Sequence, residues 1–492
     1  MAPRALITSI RLENFKAFID TGNIPLKPIT LLVGKNSAGK SSLIKAILAA
    51  SQTARQAKLD NSYFRLIGDY TNLGTYGDTV YGNDTTTNFS VGFEVNGPSH
   101  KKKSSYRFRY SFSRHETNPL GTSILGVEAY YNNNFICSAK DPSEETKKVK
   151  KMKKHVDDIR LSYPRITNVA NFAEKDEEDE YQVFLKQFAD AMDIVAGEDK
   201  ETESEEKEIK YSNEIYIRDF ILNISKLPKS KKKQKKYQIN FGIDDMLSPY
   251  IGDTRAASLH LQGVLTRTIY LGPLRDEPTR EARLAQSSGN RIGIKGEDLA
   301  TMLHLRTTKP DFMKKFNSHL QSLGVADSAI TSPSYMRDKD DKEVETGFIK
   351  ILLEHEGTTR SLMDLGFGTS QVLPIIFELS LRRDRLLVIE QPELHLHPAA
   401  QSEIGSLLNF SIEQNNQLIV ETHSANMIER LKRLIREGQL DNDDINIIYI
   451  GKDEENGGSR CDVIGFNEKG EFTDAWPEES FFGEREKEYL DW

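Results

Sequence analysis

Only two cysteines occur in 492 residues, Cys137 and Cys461. That excludes a disulfide framework and a four-cysteine zinc site. It fits a reducing compartment, so a cytoplasmic chain is expected. No run of about 18 apolar residues occurs, which argues against a membrane-spanning helix. The stretch Met1-Ala2-Pro3-Arg4-Ala5-Leu6-Ile7 has no signal-peptide core. A basic excess is missing too. The net charge is -8, so a nucleic-acid contact would need a local patch. Sustained heptads are absent, which leaves no basis for a long coiled coil. What remains is a chain 37% apolar and 28% charged, with a mean hydropathy of -0.54. It is long enough for roughly two to four domains.

Periodicity divides the chain into unlike stretches. Alternation over residues 5–33 predicts two or three strands, and residues 42–58 read as a helix. Residues 62–138 are rich in Tyr, Phe, Thr, Asn and Gly, and their short alternating runs predict antiparallel strands. Residues 139–240 differ in composition. Basic runs at 147–154 and 229–236 flank acidic blocks at 174–180 and 198–208. Amphipathic pieces at 181–188 and 215–227 suggest a helical insertion on charged connectors. The basic runs suit DNA, an acidic protein, or simple solvation. Helices are expected near 295–305 and 310–323, and a strand at 346–356. From residue 360 onward, helices at 371–382, 398–414 and 424–437 alternate with strands at 385–390, 417–421 and 445–450. That alternation predicts an α/β sheet.

The chemistry concentrates in a few turns. Gly34-Lys35-Asn36-Ser37-Ala38-Gly39-Lys40-Ser41 follows the apolar run Ile29-Thr30-Leu31-Leu32-Val33 and precedes the helix starting near Ser42. Strand, glycine loop and helix in that order make a phosphate-binding loop. Backbone N–H groups turn inward, Lys40 reaches the β/γ-phosphates, and Ser41 offers a hydroxyl to Mg²⁺. Leu386-Leu387-Val388-Ile389-Glu390 is a buried-strand pattern ending in an acid. A strand beside the phosphate loop that ends so helps hold Mg²⁺. On the turn after it, Gln391 can orient a water, and Glu393 can take its proton. Ile419-Val420-Glu421-Thr422-His423 is another strand, and it brings His423 towards a γ-phosphate. Leu365-Gly366-Phe367-Gly368-Thr369-Ser370-Gln371 opens a helix. Gly368, Ser370 and Gln371 there form a second anion-binding turn. It precedes Glu390 by too little chain to fold back on its own phosphate loop, so it could meet the nucleotide of a second subunit. Glu393, His395 and His397 alternate like a metal cluster, but no fourth ligand is evident. His397 reads instead as a partner contact or a cap for the helix that Pro398 starts.

Together these residues resemble the ABC-type ATPase heads of the RecF and SMC kind. Residues 34–41 resemble Walker A, Phe367-Gly368-Thr369-Ser370-Gln371 a divergent ABC signature, residues 386–390 Walker B, and His423 the switch histidine. The resemblance implies an α/β ABC-type P-loop ATPase head with an antiparallel β subdomain and a helical charged insertion. It divides the chain into 1–138, 139–240, 241–475 and an aromatic, acidic tail at 476–492. ATP would sit on Gly34, Asn36, Ser37, Ala38, Gly39, Lys40, Ser41 and Ser42, with Ser41 and Glu390 on Mg²⁺. Two departures bear on rate. Glu390 stands where most heads have Asp, and Gln391 stands where most have the catalytic Glu.

Ile389-Glu390-Gln391-Pro392-Glu393-Leu394-His395-Leu396-His397-Pro398, with Tyr270-Leu271-Gly272-Pro273-Leu274-Arg275, is similar to a narrower group. These are stand-alone bacterial ATPases of anti-phage systems, including the ATPase subunits of PARIS and Septu and those linked to some retrons, with PARIS the best fit. The resemblance implies a homodimer through the ATP sites, a higher homo-oligomer, a phage-protein trigger and a separate toxic nuclease of Toprim or HNH type. Only about 40 residues follow Ile450, too few for a fused Toprim domain, so the nuclease is expected on another chain. Two other readings compete: a RecF-like repair ATPase that binds DNA directly, and a nucleotide-bound scaffold that barely hydrolyses.

Overall fold

The computed structural model describes residues 6–55, 64–96, 104–140, 214–218, 221–225, 243–284 and 291–476. The chain opens with β1 (Ser9–Phe15), β2 (Phe18–Asp20), β3 (Ile24–Pro25) and β4 (Ile29–Gly34), then α1 (Lys40–Arg55) and a single turn, α2 (Tyr76–Thr79). Next come β5 (Phe89–Asn96), β6 (Ser105–Arg114), β7 (Thr122–Tyr131) and β8 (Asn134–Lys140). They form an antiparallel sheet in the order β2-β1-β5-β6-β7-β8, with β3 on β1. Its alternation is visible in β6, where Tyr106, Phe108, Tyr110 and Phe112 are buried and the residues between them are not. One face packs on the core and the other meets water.

The strands β9 (Glu214–Arg218) and β10 (Ile221–Ser225) pair antiparallel, from Ile221 with Arg218 to Ser225 with Glu214. This corrects the helical reading of 215–227. The Ile- and Tyr-rich segment is short, and a short apolar run does not distinguish helix from strand. Residues 141–213 and 226–240, which hold the rest of the expected insertion and its charge runs, lie outside the described residues, as does the tail at 477–492.

A long helix, α3 (Ile243–Thr266), leads into β11 (Ile269–Leu271). The strands β12 (Ala282–Arg283), β13 (Ser328–Arg337), β14 (Glu343–His355) and β15 (Thr358–Ser361) make a small antiparallel sheet. The helices α4 (Leu299–His304) and α5 (Pro310–Ser322) lie between β12 and β13 in sequence. The last part alternates α6 (Phe367–Leu381), β16 (Leu386–Glu390), α7 (Pro398–Glu413), β17 (Gln417–Glu421), α8 (Ala425–Arg436), β18 (Ile445–Lys452) and β19 (Ser459–Ile464).

The central sheet runs β11-β16-β17-β4-β18-β19, parallel except for β19. Its strands are nearly unbroken apolar runs, as burial on both faces requires. Side chains of each strand part between two cores. Leu32, Val388, Ile419 and Ile448 join α1, α3 and the antiparallel sheet. Leu31, Ile389, Val420 and Ile447 join α6, α7 and α8 on the other face.

Candidate functional site

The phosphate loop leaves β4 where the sheet leaves it no room for a side chain. A Cβ on Gly34 would stand 2.1 Å from the Ile450 carbonyl oxygen, and φ there is 147°, a conformation open only to glycine. Ser37 also takes a positive φ, 62°. Asn36 and Ser37 are exposed, Ala38 and Gly39 are buried, and Ser41 and Ser42 lie on the first turn of α1. Lys40 is 4% exposed. Its Nζ donates to the carbonyls of Gly34 (2.8 Å) and Lys35 (2.9 Å). Burial lowers its pKa, against the pull of Glu421.

The acid nearest that lysine is not Glu390. Strand order puts β17 between β4 and β16, so Glu390 ends a strand one removed from the loop. Glu421, its register partner, ends the strand beside the loop and lies 4.0 Å from Lys40 Nζ. It is 5% exposed, and its Oε2 has no hydrogen-bond partner among the described residues. Burial, with Glu390 and Glu393 adding, pushes Glu421 up to about 7 in spite of Lys40. Glu390 is raised by burial, and its Oε1 accepts a 2.6 Å bond from the Tyr270 hydroxyl. Burial and this carboxylate push the Tyr270 phenol far above its ordinary value.

Gln391 opens the turn after β16 in the left-handed region, φ 45°. Its N–H donates to the Glu421 carbonyl at 2.7 Å. Glu393 is buried, and its Oε1 accepts the His423 backbone N–H at 2.6 Å, while its Oε2 has no hydrogen-bond partner among the described residues. Burial raises its pKa. The His423 ring is exposed on the surface. Partial desolvation and the Lys40 charge hold it below its ordinary pKa, so it is neutral at neutral pH. Lys40, Glu390, Gln391, Glu393 and His423 thus share the carboxyl-terminal edge of the parallel strands, where α/β sheets bind ligands.

The glycine turn packs on this edge from the other core. A Cβ on Gly368 would lie 2.3 Å from the His395 carbonyl, and the Phe367 ring meets His395 edge-on at 4.9 Å. Ser370 and Gln371, expected at a nucleotide, spend their side chains inside the chain. Ser370 Oγ donates to the Phe367 carbonyl (2.7 Å), and Gln371 Oε1 accepts the Arg275 N–H (3.2 Å). His397 caps α7, accepting the Ala399 N–H at 3.4 Å, with Pro398 next.

Two residues at this edge have no assigned role in the sequence reading. Glu421 has a detectable signal, an acid closing an apolar strand just as Glu390 does. Arg275 has only its place at the end of the 270–275 segment, which carries a family likeness but no role for the residue.

The sequence model of the family described as AAA ATPase domain matches residues 6–428. No curated protein matches the chain. Solved structures of low identity align over nearly all of it. One is the SmcHead bound to the C-winged helix domain of ScpA, at 12% identity over 93% of this chain and 97% of that one, with TM-score 0.39. A second is the Smc head domain with an extended coiled coil bound to the C-terminal domain of ScpA derived from Pyrococcus furiosus. Its values are 14% identity, 93% and 96% coverage, and TM-score 0.37. A third, the SMC head domain from Thermotoga maritima, gives 10%, 94%, 99% and 0.35. At these scores the overall likeness is loose.

Proposed function

The chain belongs to the AAA ATPase domain family and is an ATPase, and on that premise we propose that two copies close on ATP and thereby control a separate nuclease in anti-phage defence. The observation that carries the nucleotide site is Lys40. A buried ammonium held by two loop carbonyls beside an unsatisfied carboxylate is poised for a polyanion. Residues 34–42 supply the cradle.

The donor set suits Mg²⁺, a hard cation that takes oxygen ligands. Ser41 and Glu390 would hold it, and buried oxygens of Glu393 and Glu421 stand by without hydrogen-bond partners among the described residues. When bound, Mg²⁺ neutralises charge on the phosphates. Gln391 orients the attacking water, and its amide cannot take a proton. Glu393, with Oε1 fixed by the His423 N–H, receives that proton as water attacks the γ-phosphorus and ADP departs. Neutral His423 donates to the γ-phosphate.

Two features support a second copy. α1 and α6 lie in opposite cores, so the helices that begin at the phosphate loop and at the glycine turn pack on opposite faces of the sheet. Around the glycine turn, Leu274 is 68% and Phe367 43% exposed, apolar surface that a partner would cover. Control of a nuclease rests on the likeness of residues 389–398 and 270–275 to anti-phage ATPases.

Lys40→Ala is expected to lose nucleotide binding and turnover together. Glu390→Gln or Glu393→Gln should keep binding yet slow hydrolysis about a hundredfold. Phosphate release and a fluorescent nucleotide read both, and parental turnover in Lys40→Ala would refute the site. For the nuclease, the tagged chain should copurify with the product of the adjacent reading frame. A strictly solitary protein counts against that role.

A further inference from the structure

Arg275, in the segment that leaves β11, is 5% exposed. A buried guanidinium costs several kcal/mol unless its charge and donors are met. Here the donors go to backbone. Nη2 donates to the Glu390 carbonyl at 2.8 Å, and Nη1 to those of Gln391 at 3.2 Å and Pro273 at 3.4 Å. Its own N–H donates to Gln371 Oε1 at 3.2 Å. Nε has no hydrogen-bond partner among the described residues. The charge is balanced by Glu393 and Glu390; burial pulls the pKa down to about 10, so the group stays cationic at neutral pH.

One residue therefore joins three parts of the site: the acid-bearing end of β16, the left-handed turn at Gln391, and the start of the second turn of α6. Gln391 is pinned from both sides, through its N–H by β17 and through its carbonyl by Arg275. A non-glycine residue at positive φ costs about 1–3 kcal/mol and persists only where its surroundings impose it. A planar fork reaches two successive carbonyls, whereas a lysine offers one point charge on a flexible stem.

We infer that Arg275 is a positioning residue for ATP hydrolysis, tying the turn at 390–391 to the helix that opens at the glycine turn. Closure of a second copy on that turn is then transmitted to Gln391 and Glu393. The inference rests on the composite site proposed above. Arg275 acts through carbonyls and leaves the phosphate loop untouched, so it governs rate rather than nucleotide affinity.

The test measures kcat by phosphate release, affinity with a fluorescent non-hydrolysable ATP analogue, and the thermal midpoint, all on the full chain. Arg275→Ala is expected to lower kcat about tenfold or more while analogue affinity stays within about threefold. Arg275→Lys, which keeps the charge and loses the fork, should recover part of that loss. Turnover within about twofold of the parent in Arg275→Ala overturns the inference. A parallel fall in kcat, affinity and thermal midpoint also overturns it, since a merely structural residue behaves so. Where Arg275→Ala does not fold, Gln371→Leu breaks the other end of the tie, the bond from the Arg275 backbone N–H to the helix. A lowered kcat at parental affinity there supports the inference, and parental turnover ends it. Lys40→Ala separates the two levels. Turnover retained in Lys40→Ala removes the nucleotide site itself. An inactive Lys40→Ala beside a fully active Arg275→Ala removes only the positioning role.

Discussion

Three buried or half-buried carboxylates, Glu390, Glu393 and Glu421, share one sheet edge with two buried cations, Lys40 and Arg275. Burial raises all three acids, and Glu421 holds its proton up to about pH 7. An unfolded glutamate titrates near pH 4. The folded state therefore binds this proton more tightly. The associated stability is fully present below the unfolded pKa and is lost as pH rises through the folded one. In nucleotide-free, metal-free buffer the thermal midpoint should fall between about pH 5 and pH 7 through this group. Glu421→Gln, which cannot ionise, should flatten that fall, with Glu390 and Glu393 keeping a remainder. Thermal scans of both proteins across the window check it. Equal slopes would mean that Glu421 is ionised throughout.

Gly366 and Gly368 stand two residues apart at the start of α6 under opposite constraints. A Cβ on Gly368 would meet the His395 carbonyl at 2.3 Å, whereas no described residue lies within 4 Å of one on Gly366. Gly368→Ala should displace the 391–397 turn, costing about 1–3 kcal/mol and lowering the thermal midpoint. Gly366→Glu should leave that midpoint at the parental value and still abolish turnover, because it sets a negative charge where a second copy's phosphates would arrive. Thermal scans beside phosphate release distinguish the two, and parental turnover in Gly366→Glu would take the glycine turn out of the site. Elements such as β16, β17, α7 and α8 were legible because each is a long apolar run or a clear helical period with polar bounds. Strand order was not legible. Periodicity says which residues are buried but not which strand is a neighbour, so Glu390 was expected beside the phosphate loop and Glu421 stands there. α3 was hidden by Pro249 and Gly252, residues that disfavour helix. The hairpin at 214–225 read as a helix because its runs are too short to show a period.

At the scale of the whole molecule, the helices that begin at the phosphate loop and at the glycine turn belong to opposite cores of one sheet. On the composite reading proposed above, a site assembled from both turns takes one from each copy, and a two-fold pair makes two such sites. This arrangement has a consequence that a self-contained site lacks. Lys40→Ala lacks the phosphate-loop cation, and Gly366→Glu lacks the glycine turn; each alone should be inactive. In a mixed pair, one site combines both lesions and the other combines neither. Random mixing in equal amounts makes half of the pairs mixed, each with one intact site of two, so turnover should return to about a quarter of the parental value. Phosphate release from the mixture, against each variant alone at the same total concentration, makes the measurement. A mixture as inactive as its components would mean that each chain hydrolyses ATP with its own residues. Recovery would place the phosphate loop of one copy under the glycine turn of the other.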